Sequence, residues 1–320
     1  MPDSVEALRN LGITIPDGEA FPFRGIRFLS DAHSAAAEFP SGTAYGIRRT
    51  ALHRIMVNHA EAAGVSLQFQ TAVTGLHPEG ALVAGRLVRA RWIVGADGSA
   101  SRVRSWANLD AHHRLSHRFA FRRHYRIQPW SDFMELYWGR ACQVYVTPVG
   151  REEVCVAVIS QSPKLRLESA LAEFPELRTR LLSALASDSE RGAITTSRKL
   201  QNVYRDNFAL VGDASGGVDA ITGEGLCLTF RQAALLADCL AAGDLRPYQA
   251  GHRKIAQRPA FMAHMMLTMG RQTSLRARAM RAFESSPHLF AKMLAMHVGA
   301  AKPRDYAANS LALGWNFLKA

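Results

Sequence analysis

The residues with the most chemical promise lie in FALVGDASGGVDAITGEGLCLTFRQAALLADCL, residues 208–240. An apolar strand ends in Gly212-Asp213, a glycine-rich loop follows, and Gly223-Glu224-Gly225 opens a long apolar helix. A carboxylate at a strand end accepts hydrogen bonds from ligand hydroxyls, and Asp213 holds that position. The first turn of a helix carries unpaired N–H donors and a partial positive charge, so the backbone at Gly225 and Leu226 is expected to face an electron-rich atom.

Two further segments carry weaker signals. In IVGADGSASRVR, residues 93–104, a strand runs into Asp97-Gly98 and then towards a helix. Asp-Gly after a strand is commonly only a turn, and both readings stand on this segment alone. In GIRRTALHRIMVNHAEAAGV, residues 46–65, Arg49 precedes a first helical turn, where a guanidinium clamps a phosphate bidentately or simply meets solvent. His112, His113, His117 and His124 are interleaved with Arg114, Arg118, Arg122 and Arg123 and no carboxylate, a poor setting for a dication, so no metal site is expected. GxSxG, P-loop and HExxH patterns are absent.

The elements that must position these residues read as follows. Residues 4–12 predict a short helix capped by Ser4, with strand-like pieces around 23–29 and 35–46 and a long helix from Thr50 to Ala63. Val65-Ser-Leu-Gln-Phe alternates apolar and polar residues as a strand does, and apolar runs at 81–88 and 91–95 lead into the Asp97 loop. Short alternating strands dominate from about 106 to 200, YVTPVG and VCVAVIS being the clearest, with a helical stretch over 167–187. The helix from Gly225 to Ala242 is apolar enough to be largely buried. After Gly243 the pattern is helical and basic, punctuated by Pro247, Pro259, Pro287 and Pro303.

Composition narrows the class. At 320 residues, 48% hydrophobic and 21% charged, the chain is ordinary globular material of one or two domains. The start MPDSVEALRNLG lacks the features of a signal peptide, which predicts a cytoplasmic protein. Four scattered cysteines encode neither a disulfide framework nor a zinc site. The net charge of +12 is concentrated in residues 251–320, where eleven Lys/Arg face only Glu284 and Asp305. That basic region also holds Met262, Met265, Met266, Met269, Met280, Met293 and Met296. Ordinary helix packing, the wall of a passage for a long apolar substrate, and peripheral membrane contact all fit the pattern. No nucleic-acid motif accompanies the charge, so no specific nucleic-acid partner is expected.

Taken in order, the three segments resemble the flavoprotein superfamily of para-hydroxybenzoate hydroxylase-type monooxygenases and geranylgeranyl reductases, over about residues 4–245. The resemblance implies FAD as cofactor and NAD(P)H as reductant, with an apolar, polyketide-like or isoprenoid-like small molecule as substrate. It implies that Asp213 of Gly212-Asp213 binds the ribityl chain and that Gly223, Glu224, Gly225 and Leu226 lie by the isoalloxazine ring. It places Asp97-Gly98 at FAD and nicotinamide contacts, and Arg49 of Arg49-Thr-Ala-Leu52 near the pyrophosphate. The TGEG wording is closer to geranylgeranyl reductases than to aromatic hydroxylases, whose histidine and proline pair is missing from Ser215 onward. Trp130 and Trp138 do not form the WxWxIP pattern of halogenases.

The implied fold is α/β (α+β), a Rossmann-like FAD-binding domain with an inserted, mostly antiparallel substrate sheet and a helical C-terminal region. The expected division is 1–105 (first FAD part, with substrate-domain strands around 20–46), 106–200 (substrate sheet), 201–245 (second FAD part) and 246–320 (basic helices). Such proteins open on a strand, GxGxxG and a helix that bind ADP, and no such pattern precedes Gly46. The FAD domain is therefore expected to be incomplete at its N-terminus. The alternative function is a non-catalytic flavoprotein remnant or interaction protein.

Overall fold

The computed structural model describes residues 1–301, except for the side chains of residues 113–116. Residues 302–320, with Pro303 and the last basic residues of the C-terminal region, lie outside the described part, as do the side chains of His113 and Arg114. Helices α1 (Pro2–Asn10), α2 (Arg49–Ala62), α3 (Arg102–Trp106), α4 (Leu167–Leu171), α5 (Pro175–Leu182), α6 (Gly225–Ala242), α7 (Arg246–Arg271), α8 (Thr273–Ser285) and α9 (Pro287–His297) surround four sheets.

The largest sheet has nine strands. Its order is Gly216–Gly217, Arg191–Leu200, His112–Arg126, Glu153–Ser160, Cys142–Gly150, Phe133–Trp138, Gly25–Leu29 and Ser34–Glu38, with Leu185–Ala186 added beside His112–Arg126. Pairing is antiparallel except between Gly25–Leu29 and Phe133–Trp138, which run parallel. Glu135 helps to fix that register: its buried carboxylate takes hydrogen bonds from Arg27 Nη1 at 3.2 Å, Trp130 Nε1 at 2.9 Å and Tyr137 Oη at 2.8 Å. Alternating valines on Cys142–Gly150 and Glu153–Ser160 pack under α4 and α5. Phe28, Leu136 and Trp138 meet the buried methionines of α7 to α9 in a second core. Strands from residues 23–44 and helices from 262–298 thus share one interior.

Elsewhere, Ile93–Gly95 runs parallel to Phe208–Leu210, with Tyr204–Arg205 beyond it, and residues 73–89 form a three-stranded antiparallel meander. These elements pack with α3, α6 and the start of α7. Ile93–Gly95 is the outer strand of its sheet, and Val94 is 40% exposed.

Several expectations need correction. Residues 65–69 form no strand, and Val65 and Phe69 are 52% and 62% exposed. Their alternation lacks a neighbouring strand to pair with, and a lone strand gains no ladder hydrogen bonds. Helix α1 begins at Pro2 with no side-chain cap, so Ser4 lies inside the first turn. The stretch 167–187 breaks before Pro175, whose ring disfavours helical geometry at Phe174, and ends in the strand Leu185–Ala186. Helix α6 is long and apolar enough to cross a membrane by length and composition alone, yet it packs on α1 and α7 with six of its 18 residues buried. It is less buried than its composition suggests.

Candidate functional site

Gly95 and Leu210 stand side by side on the parallel strands, so the loops that follow leave the sheet at the same end. One loop carries Asp97-Gly98 and the other Gly212-Asp213. Arg104, buried at 4% exposure, binds them together: Nη1 donates to the Ala214 carbonyl at 3.0 Å, Nη2 to the Ser99 carbonyl at 2.9 Å, and Nε pairs with Asp110 at 2.7 Å. Gly98 and Gly212 take left-handed φ values of +79° and +62°, which glycine adopts without a Cβ clash.

The Asp213 loop is held from behind. The Ser215 hydroxyl meets the Gly212 carbonyl and His252 Nε2, each at 2.8 Å, while Gln232 Oε1 accepts from the Gly212 N–H at 2.9 Å. Burial pushes the His252 imidazole down to about 4, so at neutral pH it is an uncharged member of this network. Asp213 itself is exposed in front of it.

The turn before α6 is pinned by the large sheet. Asp219 is fully buried, pairs with Arg118 at 3.2 Å and accepts from the Ile221 N–H at 3.0 Å. Tyr145 Oη donates to the Ile221 carbonyl at 2.9 Å, and Thr195 Oγ1 accepts from the Ala220 N–H at 3.1 Å. Gly223 follows at φ +68°, and a Cβ placed on Gly223 or Gly225 would meet nothing within 4 Å. The space before the helix start is therefore open. The Leu228 N–H bonds to the Glu224 carbonyl, as the fourth amide of α6 should, leaving those of Gly225, Leu226 and Cys227 without a helical acceptor.

The predicted residues fall into distinct places. Arg49, Gly223 and Leu226 line one groove of about 930 Å³ together with Tyr45, Ala120 and Ile159. Arg49 opens α2 and is exposed, while its neighbour Arg48 lies 3.4 Å from Glu153 and 3.5 Å from Asp188. Asp213, Gly212, Asp97 and Gly98 stand at the strand ends, outside the groove wall. Asp97 is occupied locally, since Ser101 Oγ and the Arg102 and Val103 N–H groups donate to its carboxylate. Partial burial raises its pKa, and these hydrogen bonds outweigh that to hold it below the usual value.

Glu224 needs correction as a groove residue. It is 1% exposed and turned into the interior, where Oε1 accepts from Arg258 at 3.1 Å and Oε2 lies 3.6 Å from His297 Nδ1. Burial pushes its carboxyl up to about 8 against the pull of Arg258. Arg258 also binds Asp3 at 2.7 Å, so this cluster ties α1 to the turn.

Sequence reasoning missed the Arg118–Asp219 pair, Tyr145 and the cavity beside the groove. Asp219 sits inside the conspicuous segment, but its partner is 101 residues away, and no local pattern announces such a pairing. Six of the seven C-terminal methionines are buried, and Met262, Met266 and Met293 line the cavity. Of the histidine cluster, His124 pairs with Asp188 at 2.8 Å and His117 packs edge-on against Phe119.

Residues 3–243 match the family model described as FAD binding domain. The chain is 25% identical over 219 residues to the digeranylgeranylglycerophospholipid reductase of Methanococcus vannielii, covering 63% of this chain and 54% of that protein. It thus spans about half the length of that relative. The fold is similar to that of CmlS, a flavin-dependent halogenase, with a TM-score of 0.72 and 18% identity over 84% of this chain and 56% of the other. It is also similar to that of tetrameric 2-methyl-3-hydroxypyridine-5-carboxylic acid oxygenase, with a TM-score of 0.68 and 21% identity over 84% and 80%.

Proposed function

The chain belongs to the FAD-binding-domain family, within the superfamily of para-hydroxybenzoate hydroxylase-type and geranylgeranyl reductase-like flavoproteins, and from that premise we propose that it reduces a double bond of an apolar, isoprenoid-like small molecule with NAD(P)H as reductant. The residues fit the cofactor. The open space at Gly223 and Gly225, the free N–H groups at the start of α6, and the exposed Asp213 suit an electron-rich ring and a hydroxylated chain. Arg49 would take the phosphates from the far side of the groove. When bound, the flavin supplies the two-electron chemistry.

The observation that carries the proposal is a cavity of about 330 Å³ that shares Tyr45, Thr147, Ala157, Ile159, Ala220 and Gly223 with the groove as walls. Its remaining surface is built from side chains such as Phe28, Leu136, Met262, Met266 and Phe290. Among the described residues its lining holds no carboxylate, lysine or arginine. His297 is there, but burial lowers its pKa to about 4 and keeps it neutral. Such walls are mostly apolar, and the neutral His297 is only a weak base for activating a phenol, which favours reduction of an apolar chain over hydroxylation of a polar ring.

The test is an absorption spectrum of the 320-residue chain after incubation with FAD and desalting, followed by NAD(P)H oxidation with and without an isoprenoid alkene. Retained flavin bands, at least tenfold weaker retention by Asp213→Ala, and a reduced product are expected. A product carrying oxygen from labelled dioxygen would replace reduction by monooxygenation. A second reading, an interaction protein without flavin, is favoured by the exposed outer strand at Val94, and a colourless protein after desalting would support it.

A further inference from the structure

A second groove, of about 660 Å³, runs on the other side of the Ser215–Val218 loop from Asp213. One wall is a stripe along α7 at helical spacing: Gln249, Arg253, Ala256, Ala260, Ala263 and Leu267, ending at Arg271. From Arg253 to Arg271 this stripe is about 27 Å long at 1.5 Å per residue, so the site is a trench. Its middle is aliphatic, because small alanines on α7 face Val218 and Leu228.

Its charge is one-sided. Lys199 and Arg253 stand at one end and Arg271 at the other, while among the described residues the lining holds no aspartate or glutamate. Among the described residues none of these three cations has an ion-pair partner, although Arg253 Nη2 donates to the Gln201 carbonyl at 2.9 Å. Cations gathered around an apolar trench without counter-charge favour an anionic ligand. Among the described residues no phenylalanine, tyrosine or tryptophan lines the trench, which leaves only the imidazoles of His252 and His264 as ring faces for a nucleotide base.

We propose that this trench binds a single-chain lipid with an anionic headgroup, the head held between Lys199 and Arg253 and the chain lying along Ala256, Ala260 and Leu267. The site is separate from the cavity assigned above to the reducible substrate and does not depend on that assignment. The trench shares its Ser215–Val218 wall with the loop that presents Asp213, so lipid occupancy acts next to the cofactor seat.

The test uses the full 320-residue chain without added flavin, titrated by calorimetry with decanoate, dodecanoate and tetradecanoate below their micelle concentrations. Affinity is expected to rise about fourfold per added methylene. Tetradecanol, which lacks the charge, is expected to bind at least tenfold more weakly. The double variant Lys199→Glu/Arg253→Glu changes exposed side chains and should lose tetradecanoate binding at least tenfold, and Ala260→Trp should block it, both with unchanged melting temperature. Asp213→Ala should bind tetradecanoate as the parent does. Undiminished binding by both trench variants would assign the lipid to the other cavity and overturn the proposal. Tighter binding of NADPH than of tetradecanoate, abolished by Ala260→Trp, would overturn it in favour of a dinucleotide site.

Discussion

The nine-stranded sheet and the region of residues 65–95 use similar sequence patterns and meet different fates. In Cys142–Gly150 and Glu153–Ser160 the alternating valines lie between neighbouring strands and under α4 and α5, with Val144, Val156 and Val158 fully buried. In residues 65–95 the same alternation leaves Val65, Phe69, Val73, Val88 and Val94 between 39% and 62% exposed. The pattern states a capacity to pair. Whether a strand forms depends on a neighbour, and the second region has fewer of them.

The largest effect that would break this contrast concerns the joint between the large sheet and the turn before α6. Arg118→Ala removes the buried Arg118–Asp219 ion pair and should cost about 3–5 kcal/mol by urea denaturation. A loss under 1 kcal/mol would mean that the sheet does not hold the turn. A matched pair of substitutions sharpens the comparison itself. Val156→Thr places a hydroxyl among buried valines and should cost about 1–3 kcal/mol, whereas Val94→Thr at the exposed edge should stay within about 0.5 kcal/mol. Equal losses at the two sites would remove the distinction between the regions.

The smallest expected effect is pH-dependent and sits at the same joint. The raised pKa of Glu224 means that its contribution is fully present below about 4.5 and is lost as pH rises towards about 8. Glu224→Gln should therefore flatten the fall in melting temperature across that window. The neutral histidines His252 and His297 act oppositely: their lowered values make their contribution complete above about 6.5 and lost as pH falls towards about 4. An unchanged pH slope in the Gln variant would assign it to other groups.

Much of this was legible in the sequence because it is local. A strand ending in Gly-Asp, a Gly-Glu-Gly helix start and the apolar periodicity of α2 and α6 are each written within a dozen or so residues. The direction of Glu224 was not legible, because Arg258 and His297 decide it from 34 and more residues away. Nor was the cavity, whose walls come from Met1 and from residues 23–45, 134–159, 220–223 and 262–297. The C-terminal methionines fitted helix packing, a substrate passage or membrane contact from sequence alone, and six of the seven are buried, beside Phe28 and Trp138.

The Asp3, Glu224, Arg258 and His297 cluster joins residues from α1, the turn before α6, α7 and α9. On a ribosome these groups emerge at widely separated times, the first almost at once and the last after nearly the whole described chain. The buried Asp3 of helix α1 meets Arg231 at 3.7 Å before Arg258 is made, and Arg258 then joins Asp3 to Glu224. A chain stalled before residue 258 would hold the glycine-rich segment with its supports from the large sheet and from His252, yet with Glu224 lacking the Arg258 and His297 contacts that close this cluster.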